Sequence, residues 1–469
     1  MSNPNQRNHL LPIHNLPSDI VENILTFLPI KGAIVASTIA QRFKTSWHRN
    51  RRFLFGREFS TRYGQLELAT MVDHMFNSHH GEEIKTLRLH IDPIGIEALL
   101  KKWLNICVKK DIEELELYFF RLGFTIEFSV LDGLHKLKTL KLINCEIQLL
   151  KDPVGLRFLH TLNLWKLNLT QEMFDILISH CKMLETLDLY FCLIFKKMKI
   201  VGSNNKQFKK LRIAGCRDLV DIKIDSSTLS SFFYHGKLPR IQFVQAMRLY
   251  EAYFYIIPSR NYIQPAQLEA LANDFSKVAV LTTSSILIEA LSARFRDGIF
   301  REAEYNFFYL RELQLFMEGG MFCNPYDIYL FLKRCPSLQK LFIDLDDYQF
   351  ECGVYWELHQ KHQLNTIDHL FTRLQFVVLK NFKFMDHEIE LVKMILERAS
   401  ILDKLYLIPP KSGRYSKLEP DLAKYDKYFQ TFKIASKNFG IDYKEHCVKF
   451  PTHSKCWFHQ SLGLGGIYN

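Results

Sequence analysis

The feature that most constrains this chain is a short leucine motif that recurs along it at nearly constant spacing. The motif is L-x-x-L-x-L, in which isoleucine, phenylalanine or valine can replace a leucine. Its first six copies have central residues at positions 87, 115, 140, 162, 187 and 211, which are 28, 25, 22, 25 and 24 residues apart. So regular a period predicts the stacking of one repeated structural unit rather than a single closed core.

The period lies in the range of about 20 to 29 residues that is typical of leucine-rich repeats. Each L-x-L predicts a short parallel strand whose leucines enter the core, and the intervening residues return as helix or irregular coil. Predicted helical returns are Gln171–His180, Pro325–Arg334 and Asp386–Arg398. The fold class is therefore α/β, a solenoid with its parallel strands on the concave face.

The repeat loosens after Asp218 and sharpens again later in the chain. We expect Leu229–Gly236 to be an irregular repeat and Val278–Leu281 to be another strand. Four clear copies follow, beginning at Leu310, Leu338, Leu374 and Leu402. Cys145, Cys192 and Cys216 occupy the position at which such repeats take an inward-facing Asn or Cys, so their presence needs no redox chemistry.

The composition sets limits on the class of protein. Of 469 residues 48% are hydrophobic, which is normal for a globular protein. No run approaches the ~18 apolar residues of a membrane span, and the N-terminus lacks a signal-peptide pattern. Ten scattered cysteines predict reduced, buried thiols rather than a disulfide framework. We therefore expect a soluble intracellular protein, in the nucleus, the cytoplasm or both.

Before the repeats, residues 15–47 predict a cluster of short helices with apolar side chains that the cluster cannot cover. Leu16, Ile20, Ile24 and Leu28 recur at helical spacing, with Pro17 at the start. Later helices carry the apolar pair Phe43 and Trp47. A segment of this size buries little core by itself, so the leftover apolar surface predicts a partner.

These residues resemble an F-box, and the whole chain resembles plant F-box proteins that continue into leucine-rich repeats and a C-terminal FBD-type segment. Those sequences usually have Trp where this chain has Phe43. The resemblance implies a substrate-recognition subunit of an SCF-type ubiquitin ligase, with no catalysis of its own. It implies docking on a Skp-type adaptor, and through it on a cullin scaffold, while the repeats bind a target protein. The implied adaptor-binding residues are Leu16, Pro17, Ile20, Ile24, Leu28, Phe43 and Trp47.

The resemblance and the repeat together predict five segments. Residues 1–14 form a disordered tail, 15–60 the F-box and 61–364 the leucine-rich repeats. Residues 365–410 form FBD-like terminal repeats, and 411–469 form a C-terminal extension, with a possible helix around Glu419–Phe439.

Sequence motifs for catalysis or for cofactors are absent, and we expect neither. The C-terminal His446, Cys447, His453, Cys456 and His459 lack the paired spacing of a structural zinc site. Gly463–Gly466 does not open a helix after a strand, so a phosphate site is not indicated. The carboxylates of Asp344, Asp346 and Asp347 are expected in a solvated turn.

The positions between the leucines should face the exposed concave sheet, because side chains alternate along a strand. One column carries Arg88, Glu116, Lys141, Asn163, Asp188 and Arg212. In the next column, Tyr118, Trp165 and Tyr190 are predicted to form an exposed aromatic strip, a candidate surface for the target. The net charge of +11 leaves a second function open, nucleic-acid binding through the basic N-terminal helices.

Overall fold

A computed structural model describes residues 17–26, 28, 32, 35, 46–201, 206–257, 265–291, 305–317, 323–346, 356–366, 368–410, 427–437 and 439–443. The chain divides into two compact units. The first comprises Met1–Phe195, Ser203–Phe208 and Cys216–Asp218, and the second comprises Lys196–Gly202, Lys209–Gly215 and Leu219–Asn469.

A parallel sheet of six strands forms the centre of the first unit. The strands are β1 (Arg52–Phe55), β2 (Thr86–Ile91), β3 (Glu114–Phe119), β5 (Thr139–Ile143), β7 (Thr161–Trp165) and β9 (Thr186–Tyr190). The central leucines of the motif lie side by side, with Leu87 opposite Leu115, Leu140 opposite Leu162, and Leu162 opposite Leu187. The predicted repeat register is confirmed.

The second unit contains a parallel sheet of nine strands. They are β12 (Lys210–Ala214), β14 (Ser231–Gly236), β16 (Glu251–Ile256), β17 (Val280–Ser284), β18 (Glu312–Phe316), β19 (Lys340–Asp344), β20 (Phe376–Lys380), β21 (Lys404–Ile408) and β22 (Gly440–Tyr443). All described pairs between neighbours are parallel, from Leu211 opposite Phe232 to Leu405 opposite Ile441. The unit is thus a second run of the same solenoid repeat.

Short strands at the repeat turns form three additional parallel sheets, which the motif did not predict. In the first unit β4 (Thr125–Glu127) pairs with β6 (Glu146–Gln148), and β8 (Asn168–Leu169) pairs with β10 (Leu193–Ile194). In the second unit β13 (Asp221–Asp225) lies between β11 (Lys197–Val201) and β15 (Arg240–Phe243). In the first unit β4 and β8 each precede a helix, whereas in the second unit no described helix lies between β11 and β15.

Helices lie before and between the strands of the two main sheets. They are α1 (Ser18–Thr26), α2 (Arg57–Ser60), α3 (Gln65–Asn77), α4 (Glu97–Lys109), α5 (Phe128–Leu131), α6 (Gln171–His180), α7 (Pro265–Phe275), α8 (Ser285–Leu291), α9 (Pro325–Lys333), α10 (Lys361–Thr366) and α11 (Asp386–Arg398). Helix α6 begins where the Thr170 hydroxyl accepts the backbone N–H of Met173. Helix α9 begins after Asn324, whose side chain accepts from Tyr326 and Asp327. The predicted helical returns are confirmed, and no described helix is long and apolar enough to cross a membrane.

The motif leucines fill the core of both units. Every first, middle and last apolar position of the ten clear copies is buried. Cys145, Cys192 and Cys216 are also buried, as predicted. Burying one leucine side chain contributes about 2 kcal/mol, so the repeated motif makes a large contribution to stability. The seven described cysteines, which include these three, are all buried and free of disulfides.

Several strands lie outside the predicted set. Strand β1 starts the first sheet at Arg52, upstream of the predicted first copy at Ile84, and pairs with β2. Strands β16 and β22 were also not predicted. Strand β14 confirms the irregular repeat, and β17 lies slightly later than the predicted strand. Within the predicted C-terminal helix, residues 431–437 are not helical, and residues 419–426 are outside the described part.

The residue after several strands adopts a left-handed backbone conformation. Asn144, Lys166, Phe191, Gly215 and Asn381 hold this position, with φ between 53° and 66°. Such a conformation is easy for Gly and tolerable for Asn, but it strains a residue with a longer side chain. Lys166 is exposed, and its backbone N–H donates to the carbonyl of Tyr190 at 2.8 Å, a bond that glycine can form equally well. Exchanging Lys166 for glycine therefore changes mainly the backbone strain.

Replacing Lys166 by glycine is therefore expected to stabilise the protein by about 0.5 kcal/mol, because glycine relieves the strain and keeps the backbone hydrogen bond. Urea denaturation of the variant measures the change. Lys166→Ala is the control, since alanine removes the same side chain but retains the strain. A glycine variant no more stable than the alanine variant would show that the strain is negligible.

Candidate functional site

Helix α1 carries two apolar stripes. Val21 and Leu25, four residues apart, are buried. Ile20 and Ile24, also four apart, are 45% and 40% exposed. Residues at this spacing share a helix face, so the two isoleucines form an apolar stripe that the described part of the chain does not cover.

Buried Asn50 joins the segment around α1 to the first sheet. Its side-chain amide donates to the backbone carbonyl of Leu28 at 3.0 Å. Its side-chain oxygen accepts the backbone N–H of Arg52 at 2.7 Å, at the start of β1. One side chain therefore bonds the end of the helical segment and the first strand at once.

Aromatic rings extend this junction. The Trp47 ring lies 3.9 Å from that of His48 and 6.1 Å from that of His74, and His48 stacks on His80 at 5.3 Å. Burial lowers the pKa of His48, and the neighbouring histidines lower it further. Burial also lowers the pKa of His79 to about 4, so this ring is neutral at physiological pH. The junction is a contact between aromatic rings.

The predicted adaptor-binding residues are distributed as follows. Pro17 is exposed just before α1, and Ile20 and Ile24 are exposed on one face of the helix. Leu28 and Trp47 are half-buried. Leu16 and Phe43 lie outside the described residues. A binding role for the seven stays a prediction, and the exposed stripe is the part that can contact a partner directly.

The outward face of the first sheet is the side on which side chains alternate with the buried leucines. Its aromatic residues do not form the single exposed strip predicted from the sequence. Tyr118 stacks on His90 with ring centres 4.8 Å apart. Trp165 lies 5.4 Å from Tyr190, and Ile143 separates the two pairs. Tyr190 is only 2% exposed, so the prediction of its exposure was wrong.

Charged side chains gather next to the first of these pairs. Glu116 accepts from Arg88 at 3.0 Å, and its carboxylate lies 3.5 Å from His90 and 3.6 Å from Lys141. Burial opposes ionisation of Glu116, but the nearby His90 ring and the charge of Arg88 outweigh it. Together with the charge of Lys141 they lower the pKa of Glu116 to about 2. We call Arg88, His90, Glu116, Tyr118 and Lys141 the cationic face.

Beside the cationic face lies an apolar rim, which the sequence reasoning missed. The rim consists of Ile94, Phe120 and Leu122, all exposed, in the loops that follow β2 and β3. The Phe120 ring lies 5.4 Å from that of Tyr118. Ile94 reaches within 3.4 Å of the place where a Gly123 Cβ would lie. The available signal was a large apolar residue directly after a strand, where the chain turns into solvent.

The second unit has a different outward face. Its central column is buried and largely apolar, and it consists of Phe233, Tyr253, Thr282, Gln314, Phe342, Val378 and Tyr406. Phe233 stacks on Tyr253 at 4.1 Å, and Phe342, Val378 and Tyr406 form a hydrophobic cluster with Ile408. This face therefore contributes core packing, in contrast to the charged face of the first unit.

Asp344 does not lie in a solvated turn, as the sequence had led us to expect. It is buried at the end of β19, and its carboxylate accepts from Lys380 at 3.0 Å and Asn381 at 2.5 Å. Burial raises the pKa of Asp344, and the two donors partly offset this effect. Asp346 is exposed, and Asp347 is outside the described residues. The group is a structural ion pair between adjacent repeats.

The described residues hold no group of three or more side chains suited to bind a metal ion. Burial raises the pKa of the Cys145 thiol to about 12, which leaves it unreactive. The C-terminal His and Cys residues between positions 446 and 459, and the glycine-rich Gly463–Gly466, lie outside the described residues.

Known proteins match this architecture over most of the chain. The family model described as "At1g61320/AtMIF1, LRR domain" matches residues 75–422. The FBD-associated F-box protein At1g61330 of Arabidopsis thaliana is 31% identical over 420 residues, which cover 88% of this chain and 94% of the relative. A second Arabidopsis FBD-associated F-box protein, At1g61320, is 29% identical over 425 residues, covering 88% of this chain and 92% of the relative. The F-box/LRR-repeat protein At3g03360 is 26% identical over 40% of each chain.

Proposed function

This chain belongs to the plant family of F-box proteins with leucine-rich repeats and a C-terminal FBD-type segment, and on that premise we propose that it is a substrate-recognition subunit of an SCF-type ubiquitin ligase. Its N-terminal segment docks on a Skp-type adaptor, and the adaptor connects it to a cullin scaffold. The repeats bind the target protein. The chain performs no catalysis, and it acts in the nucleus, the cytoplasm or both.

The observation that carries the proposal is the exposed stripe of Ile20 and Ile24 on α1. Two branched apolar side chains on a helix with its own buried stripe suit insertion into an apolar groove of a partner. The stripe belongs to the first unit, as does the cationic face, so one unit carries both an apolar docking helix and a charged sheet surface.

The mechanism that follows is proximity. A target held on the repeats shares one assembly with the conjugating enzyme that the cullin scaffold recruits. Tethering replaces a bimolecular encounter between a target lysine and the enzyme by an intramolecular one, which raises the effective concentration to the millimolar range. This chain needs only to bind both partners at the same time.

Co-purification with a plant Skp-type adaptor tests the docking step. We expect the wild-type chain to retain the adaptor, and Ile20→Asp with Ile24→Asp to weaken retention at least tenfold, because two charges would have to enter an apolar contact. Leu66→Asp is the matched control, since Leu66 is also exposed and apolar but lies on α3. Failure of the wild type to retain the adaptor, or equal retention by the double variant, contradicts the proposal.

The alternative function, nucleic-acid binding by the basic N-terminal residues, has less support. Arg52 is part of β1, and Arg51 approaches Glu83 at 3.9 Å. A row of phosphates needs cations that are free to face it. Salt-sensitive DNA binding by the purified chain without an adaptor would favour this alternative.

A further inference from the structure

We propose that the cationic face is the docking site for an acidic segment of the target protein, one that also carries a large apolar residue. The inference rests on the proposed function, because it locates and characterises the target that this function requires. It uses only side chains of the first unit. Four observations carry it: charge, exposure, the adjoining apolar rim and the arrangement of the aromatic rings.

Exposure decides which charge a partner meets. The side chain of Arg88 is 44% exposed and that of Lys141 is 37% exposed, whereas Glu116 between them is 18% exposed. The carboxylate lies below the two cations and its negative charge is already shared between them. A molecule that approaches this face therefore encounters the positive groups first.

The same arrangement recurs at the start of these strands. Glu113 lies 2.8 Å from Lys138 and 3.4 Å from Lys85, and both lysines are more exposed than the carboxylate. Each of the two carboxylates thus has two permanent cations around it. Glu114, at the start of β3, is exposed on the same face. The four cations Lys85, Arg88, Lys138 and Lys141 outnumber the three carboxylates Glu113, Glu114 and Glu116 by one charge. This positive surplus favours an acidic partner and speeds its association.

The apolar rim defines the second half of the ligand. Ile94, Phe120 and Leu122 are exposed next to the cationic face, and the Phe120 ring packs against that of Tyr118. A rim of this kind gains energy by burying an aromatic or aliphatic side chain of a partner. A matching segment therefore has acidic residues followed by a large apolar residue.

The rings argue against a nucleic acid as the ligand. Single-stranded nucleic acids bind through aromatic faces on which bases can stack. Here the Tyr118 ring is stacked on His90 at 4.8 Å, so one face of each ring is already occupied. The cations alternate with carboxylates and do not form an uninterrupted track for phosphates. A peptide with separated acidic side chains fits this spacing better.

Binding of a fluorescently labelled peptide, in which glutamates surround a single tryptophan, tests the proposal on the full chain. We expect saturable binding that weakens as salt is added. Arg88→Glu with Lys141→Glu should weaken binding at least tenfold. Glu116→Gln should tighten it severalfold, because the variant removes the competing carboxylate and releases Arg88 and Lys141 from their ion pairs with it. A general loss of folding would weaken binding in both variants, so opposite effects from neighbouring residues point to the charge of this face.

Two controls make the result specific. Lys101→Glu makes the same charge change on α4, where Lys101 pairs with half-buried Glu127, and should leave binding unchanged. Arg88→Gln with Lys141→Gln is the milder version if the charge reversal prevents folding, which far-ultraviolet circular dichroism reports. Equal binding by wild type and the double variants overturns the proposal, as does the absence of saturable binding by the wild type. Tighter binding of single-stranded DNA, lost in the same variants, also overturns it.

The outcome is separable from that of the proposed function. Adaptor retention depends on α1, and every variant of the cationic face should retain the adaptor as the wild type does. Loss of peptide binding with intact adaptor retention supports a target surface in the first unit. If the wild type retains the adaptor but binds no peptide, the docking proposal stands and the cationic face is not the target site.

Discussion

Replacing Asn50 by leucine is expected to destabilise the first unit by about 2 kcal/mol, because the Leu28 carbonyl and the Arg52 N–H, both in partly buried hydrogen bonds, lose their partner. The wild-type amide donates to the carbonyl of Leu28 and accepts from the backbone N–H of Arg52. Leucine branches at the same side-chain atom but can form neither bond. Desolvated backbone groups without partners cost more than the average hydrogen bond contributes.

Urea denaturation followed by tryptophan fluorescence measures this effect, since Trp47 lies in the same junction. Asn77→Leu is the matched control. Asn77 is exposed on α3, and among the described residues its side chain bonds that of Asp73 at 2.8 Å, so its loss should cost less than about 0.5 kcal/mol. Similar destabilisation by both variants would show that Asn50 does not connect the helical segment to β1.

The leucine motif was sufficient to predict the repeat because each of its apolar positions has the same role. A side chain that packs against the equivalent side chain of the next repeat must be large and apolar, and this requirement leaves a pattern in the sequence. The strands that the motif missed meet the requirement with other residues. Strand β1 uses Phe53 and Phe55, and β16 uses Ala252 and Phe254, all of them buried. A pattern that admits alanine and aromatic residues would have found both.

Exposure of the outward face was harder to predict. Alternation tells which side of the strand a residue occupies, but it does not tell what lies on that side. Strand β9 alternates like its neighbours, yet Tyr190 is buried, and its sequence offers no warning. Strand β20 does offer one, because the run FVVLK is apolar on both sides. Continuous apolar runs are typical of strands buried on both faces.

In the candidate site, too, the sequence predicted which residues are neighbours but not how deeply each is buried. Helical spacing identified Ile20 and Ile24 as an apolar pair, and the structure adds that Val21 and Leu25 fill the buried stripe instead. The column positions identified Arg88, Glu116 and Lys141 as neighbours. Their relative depth depends on side-chain conformations, which no spacing rule contains. It is this depth that makes a column of mixed charges a cationic surface.

A buried carboxyl in the second unit leads to the second large effect, a dependence of stability on pH. Glu388, in the first turn of α11, is fully buried. One carboxyl oxygen accepts the backbone N–H groups of Lys383 and Met385, at 2.7 and 3.1 Å. The other has no hydrogen-bond partner among the described residues. Burial outweighs the two donors and raises the pKa of Glu388 to about 7.

Glu388→Gln is therefore expected to stabilise the protein at about pH 8 by about 3 kcal/mol, and to have little effect near about pH 4. Between pH 4.5, the ordinary pKa of this group, and about 7, the unfolded chain releases the proton while the folded chain retains it. The folded wild type consequently loses stability as the pH rises through this window, and the loss is complete above it. Glutamine cannot ionise, and its side-chain oxygen can accept the same two backbone hydrogen bonds.

Urea denaturation of the wild type and the variant at a series of pH values tests this expectation. The difference in unfolding free energy between the two proteins should grow from about pH 4.5 to 7 and then remain constant. Glu390→Gln, which makes the same substitution two residues along α11 at a half-buried position, is the matched control. A difference that does not vary with pH would mean that Glu388 ionises as easily in the folded as in the unfolded chain. The two backbone donors would then compensate fully for its burial.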